Sequence, residues 1–207
     1  QKVKGLEDVT VIVSGFPRTG TTTMMRMLDY GGVPILASER SKKHVDEFAP
    51  YGVFELGVVR EELAKHGPEW TNGKVLKLVA PYVQYLPAKD RQCKVIFMLR
   101  DETEIITSLL AMQVVWEEIP SECVANALEL LKAHNIPLLR IWYPEMVKYP
   151  KTTAMQVADF LGLDLDIDAM AKAVDPNARK KVTGVRYKDK EEPLLAFEGK
   201  LAAAMQA

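Results

Sequence analysis

The stretch that most constrains this chain is a buried-strand pattern that breaks into a glycine loop and then a helix. Val9 to Ser14 is apolar and mostly β-branched and stops at Gly15, the pattern of a strand covered on both faces. Thr21 to Tyr30 carries Met24, Met25, Met27 and Leu28 at helical spacing and is stopped by Gly31-Gly32. Between them, Gly15-Phe16-Pro17-Arg18-Thr19-Gly20-Thr21-Thr22 has a glycine at each end and Thr22 where a phosphate-binding loop keeps its Ser or Thr. The main-chain N–H groups of such a loop, with the positive end of the following helix, form an anion cradle.

The usual lysine of that loop is replaced by Thr21. That lysine reaches the β- and γ-phosphates of a nucleoside triphosphate, so its loss argues against ATP or GTP hydrolysis. Arg18 sits inside the loop instead and offers a bidentate fork to a bound anion.

The remaining pattern alternates strands with helices. Strands are expected at Val33–Leu36, Lys74–Val79, Val95–Leu99 and Pro137–Trp142. Helices are expected at Phe54–His66, Asp101–Trp116, Ser121–His134 with Ser121 as N-cap, Lys151–Leu161 up to Gly162, and Asp168–Val174. Ala37–Gly52 reads as a polar loop. This alternation predicts an α/β protein with a central, mostly parallel sheet flanked by helices, and the glycine loop makes the expected architecture a three-layer P-loop NTPase-like fold. Ligands of such sheets sit at the carboxyl ends of strands, here after Ser14, Val79 and Leu99.

Charge narrows the function. Lys and Arg total 27 and Asp and Glu 28, a net charge of -1, so there is no global field to gather nucleic acid. Cys93 and Cys123 lack metal-ligand spacing and read as reduced thiols of a cytoplasmic protein; no metal site is expected. No apolar run reaches the roughly 18 residues of a membrane span. Gln1-Lys2-Val3-Lys4 is not a signal peptide, and the absence of a starting Met leaves the native N-terminus open. At 207 residues the chain is expected to be one domain, with a core over about 9–182 and a basic, helical tail over 183–207.

Pro17-Arg18-Thr19-Gly20-Thr21-Thr22 resembles the 5′-phosphosulfate loop of the sulfotransferases that use 3′-phosphoadenosine-5′-phosphosulfate (PAPS). In that family an Arg at a strand end and a Ser eight positions later bind the 3′-phosphate; Arg100 and Ser108 keep the spacing. Tyr143-Pro144-Glu145-Met146 with Val157–Leu163 resembles the family's late strand and "FLGL" helix, and Val174–Asn177 with Arg179 and Lys180 resembles its "DPxLxR" tail. The resemblance covers roughly residues 9 to 182. It implies PAPS as cofactor, adenosine 3′,5′-bisphosphate (PAP) as its product, and sulfuryl transfer to a hydroxyl or amine of a small molecule or peptide. Pro17, Arg18, Thr19, Gly20, Thr21, Thr22, Arg100, Ser108 and Arg179 would bind the donor.

The base follows less directly. Many family members carry a His two residues after a strand Lys; Lys77-Leu78-Val79-Ala80-Pro81 keeps the Lys and Pro but has Val79 there. Lys77 is the expected donor-facing cation, with Arg18 as its catalytic partner. Other branches take a Glu from the loop after the second strand, and Glu39 falls at that place. Glu47, Glu55 and His44 are the alternatives. The apolar tail Leu194–Met205 suits packing on the domain or on a second copy, which leaves a homodimer open. Two other functions remain in view. One is a nucleotide-binding module that kept the cradle and lost the chemistry. The other is a magnesium-dependent phosphotransferase with Asp101 as metal ligand.

Overall fold

The computed structural model describes residues 5–37, 68–85, 92–112 and 117–175. Within them the strands are β1 (Val9–Gly15), β2 (Ile35–Leu36), β3 (Val75–Lys77), β4 (Gln92–Leu99) and β5 (Leu138–Trp142). The helices are α1 (Thr21–Tyr30), α2 (Glu102–Ala111), α3 (Pro120–Ala133), α4 (Tyr143–Lys148), α5 (Pro150–Leu161) and α6 (Ile167–Lys172). The sheet runs β2-β3-β1-β4-β5, and each pairing in it is parallel.

Both faces of β1 are covered, the Val11 and Val13 face by apolar side chains alone and the Ile12 face with buried Thr10 and Ser14 beside it. Side chains alternate across a strand: Val11 and Val13 join Ile96 and Met98 on the face packed by Met24, Met27, Met146, Val157 and Met170. Ile12 joins Val95, Phe97 and Leu76 on the other face, under Ala127 and Leu131 of α3. A smaller cluster ties Phe16 of the loop to Ile105 and Leu109 of α2. These are the three layers expected from the alternation of strands and helices.

The boundaries differ in instructive ways. β4 begins at Gln92, before Val95, because ladder pairing with Val9–Val11 continues through Cys93 and Lys94. Lys94 is accommodated by donating Nζ to the carbonyls of Phe160 (3.0 Å) and Leu161 (2.9 Å), so it closes the carboxyl end of α5. β2 and β3 are shorter than expected, with two and three residues. α2 stops at Ala111 with Met112 as its cap, well before Trp116. Ser121 is not the cap of α3: the helix starts at Pro120, capped by Ile119, and the Ser121 N–H bonds Glu102 Oε1 at 3.1 Å. Proline at the first helical position explains the earlier start, since its missing N–H is one the helix would leave unpaired. α6 starts earlier as well, because Asp166 accepts from Ala169 N at 2.9 Å. The segment at Tyr143 is a short helix following β5. Phe54–His66 and nearly all of the expected loop Ala37–Gly52 lie outside the described residues. No helix among the described residues is long and apolar enough to cross a membrane.

Candidate active site

Strand register brings three sequence-distant features to one edge. Val13 pairs with Lys77, and Gly15 pairs with Met98. The loop after β1, Lys77 at the end of β3 and Arg100 just past β4 therefore emerge together at the carboxyl edge of the sheet. That is where open parallel sheets hold ligands.

The loop is built tightly. A Cβ at Gly15 would lie 2.5 Å from the Met98 carbonyl oxygen and 2.6 Å from Thr19 Oγ1, so β1 approaches β4 there only as glycine. Phe16 is fully buried and anchors the loop from below. Its carbonyl accepts from Thr19 N at 3.2 Å and from Thr19 Oγ1 at 2.7 Å. Thr19 is thus turned inward as a brace. Arg18 has φ 73, a left-handed conformation that costs a non-glycine residue about 1–3 kcal/mol and marks sites held by their surroundings. Gly20 has φ 94 and leads into α1 with no side-chain cap. The N–H groups of the first turn, from Thr21 and Thr22 onward, have no intrahelical carbonyl to reach and are free to meet an anion.

The cations around the loop are interlocked. Arg18 donates from Nε to Ser108 Oγ at 2.9 Å, and Ser108 is fully buried in α2. Arg100 donates from Nη1 to the Arg18 carbonyl at 2.9 Å and from Nε to Glu104 Oε2 at 2.9 Å. Its guanidinium carbon stands 4.5 Å from the centroid of the Tyr143 ring. Lys77 is buried, with Nζ 3.5 Å from Thr22 Oγ1. The Tyr143 ring also backs the loop: a Cβ at Gly20 would collide with its Cδ2.

Of the residues singled out in the sequence, Pro17, Arg18, Thr19, Gly20, Thr21, Thr22, Lys77, Arg100 and Ser108 fall in or against this one cluster. Ser108 meets Arg18, where a shared phosphate with Arg100 was the expectation. Glu39, Glu47, Glu55, His44, Arg179 and Lys180 lie outside the described residues. Val79 is partly buried, and its carbonyl accepts from Tyr82 N at 2.9 Å at the start of the 3₁₀ turn Ala80–Tyr85. Asp101 caps α2 by accepting from Glu104 N at 3.2 Å. Sequence reasoning missed Glu104 and Tyr143 as partners of Arg100. Glu104 was readable in part, because it stands in the first turn of an expected helix just after Arg100, close enough in sequence to reach back to it. Tyr143 had no such signal, since it arrives from β5.

The donor set suits an anionic ligand. Two guanidinium groups, an ammonium, threonine hydroxyls and a helix terminus converge there, and the glycines let the main chain come close. No family model matches the chain, and no curated protein matches it by sequence. Its structure resembles that of mouse sulfotransferase SULT7A1 complexed with PAP, with a TM-score of 0.53 at 17% identity over 96% of this chain and 84% of that one. It also resembles the sulfotransferase domain of the Synechococcus PCC 7002 olefin synthase, with a TM-score of 0.59 at 15% identity over 98% of both chains. The sulfotransferase domain of the curacin biosynthetic pathway aligns with a TM-score of 0.53 at 13% identity over 94% of this chain and 98% of that one. The chain has the sulfotransferase fold.

Proposed function

We propose that this chain is a PAPS-dependent sulfotransferase that moves a sulfuryl group to a hydroxyl or amine. The observation that carries the reading is the clasp in which Arg18 reaches Ser108 while Arg100 holds the Arg18 carbonyl. It joins a loop suited to a 5′-phosphosulfate to the Arg and Ser suited to a 3′-phosphate. The fold shared with SULT7A1, which was crystallised with PAP, agrees with it.

PAPS supplies the sulfuryl group. The new bond joins sulfur to the acceptor oxygen or nitrogen, the bond from sulfur to the 5′-phosphate oxygen breaks, and PAP leaves. The chain's part is to align and stabilise. The loop N–H groups, Thr21 and Thr22 hold the 5′ end in line. Arg18 and Lys77 face the oxygen on which negative charge collects. Arg100 and Ser108 select the 3′-phosphate, and Arg179 adds a further cation. Glu39 takes the acceptor proton. In this reading residues 1–207 form one domain.

The deciding experiment compares the thermal stabilisation produced by PAP and by ADP. PAP raises Tm more, because only it carries the 3′-phosphate. Equal shifts, or none, overturn the assignment. One observation favours a second reading: Val79 stands where many family members keep a His, and valine cannot accept a proton. A nucleotide-binding module without transfer would bind PAP yet pass the sulfuryl group of PAPS to no member of an acceptor panel.

A further inference from the structure

Arg100 is unusually constrained for a residue at a binding edge. Its side chain is only 5% exposed. One face of the guanidinium lies on Tyr143, the Nε edge is tied to Glu104 and Nη1 is tied to the Arg18 carbonyl. Of the five N–H donors of a guanidinium, two are therefore spent inside the protein, and those left belong to Nη1 and Nη2. The main chain of Glu104 is held by donation of its N–H to Asp101 Oδ1 at the first turn of α2.

Glu104 is an odd neighbour for an anion site. A carboxylate there opposes a phosphate by simple charge, so its presence needs a compensating role. The geometry supplies one. With Nε occupied, the guanidinium cannot rotate to offer its Nε edge, and its plane stays fixed by contacts from α2, the loop and the first residue of α4. We propose that Glu104 is a positioning residue that orients Arg100 and so sets the preference for a 3′-phosphorylated nucleotide. This rests on the reading of the site as a PAPS site. Glu104 acts through Arg100 and touches no reacting atom.

The test is a titration of the full chain and its Glu104 variants with PAP and with ADP. The wild type prefers PAP. Glu104→Ala lets Arg100 swing, and the preference falls about tenfold, the equivalent of one charge-assisted contact, while ADP affinity holds. Glu104→Gln keeps an oxygen that accepts from Nε and restores the preference, which a loss of general stability would not do. Should Glu104→Ala fold poorly, Glu104→Asp withdraws the carboxylate from Nε with a smaller change and is expected to lower the preference in the same direction. An unchanged preference in the folded variants overturns the role of Glu104 and leaves the site reading standing. A wild type that binds PAP no better than ADP overturns the site reading and this role with it.

Discussion

Arg100 Nη1 donates to the main-chain carbonyl of Arg18 at 2.9 Å, while the Arg18 side chain turns the other way to Ser108. The two arginines are thus held by each other's surroundings as well as by any anion they meet. The left-handed backbone of Arg18 presents its carbonyl to Arg100 and its side chain to α2. A change at either position reaches the other.

Arg100→Ala removes a buried guanidinium and its bond to the loop. PAP affinity is expected to fall by about 1.5–3 kcal/mol, the range of a hydrogen bond to a charged group. ADP affinity is expected to fall less. Isothermal titration of both nucleotides checks this, and a uniform loss would place Arg100 outside the 3′ subsite.

Gly20→Ala adds a Cβ at φ 94 that collides with the Tyr143 ring. Both the strained backbone and the displaced ring disturb the loop. Nucleotide-induced stabilisation is expected to disappear while far-UV circular dichroism stays near that of the wild type. Retention of nucleotide binding would show that the ring yields without cost.

Glu39→Gln is expected to abolish sulfuryl transfer and leave PAP binding intact, since it removes a base and no cation. Product analysis with a panel of hydroxyl and amine acceptors measures the first effect. Unchanged turnover moves the proton acceptor to Glu47, Glu55 or His44.

Lys94→Met unties the carboxyl end of α5, whose Phe160 and Leu161 carbonyls lose a charged donor. A loss of about 1–3 kcal/mol in denaturant unfolding is expected, with PAP affinity unchanged because Lys94 lies toward the opposite end of β4. A matching loss of PAP affinity would tie this end of the sheet to the site.

Burial pushes the Cys123 thiol up from its ordinary range, and the nearby Glu118 and Glu122 carboxylates add to the shift. The thiolate is the nucleophile. Alkylation by iodoacetamide at neutral pH is therefore expected to be slower than for free cysteine and to accelerate as pH rises through the raised pKa. For the same reason this group favours the fold below its ordinary pKa and loses that contribution as pH climbs. Mass spectrometry of the modified chain at several pH values reads the rate.

The parts of the fold that rest on local pattern were legible. β1, the glycine loop and α1 carry their periods and breaks within Val9–Gly32, and α5 ends at Gly162 as expected. Lys77 and Arg100 were also legible, because they end or follow apolar runs that buried strands require. The contacts among these residues were not. Whether Ser108 meets Arg18 or Arg100 depends on the Arg18 backbone angle, which no spacing encodes. The early start of β4 was hidden by Lys94, a charged residue tolerated in a covered strand only because α5 ends beside it. α2 is shorter than its pattern because apolar spacing continues past Ala111 after the helix has ended.

Tyr143 follows β5, the last strand among the described residues, yet its ring is what the first loop leans on. During synthesis the glycine corner leaves the ribosome long before that support exists. The corner gains that support only once β5 has docked and brought the tyrosine in. Nascent or truncated chains ending ahead of residue 143 would carry every loop residue and lack the ring that backs Gly20.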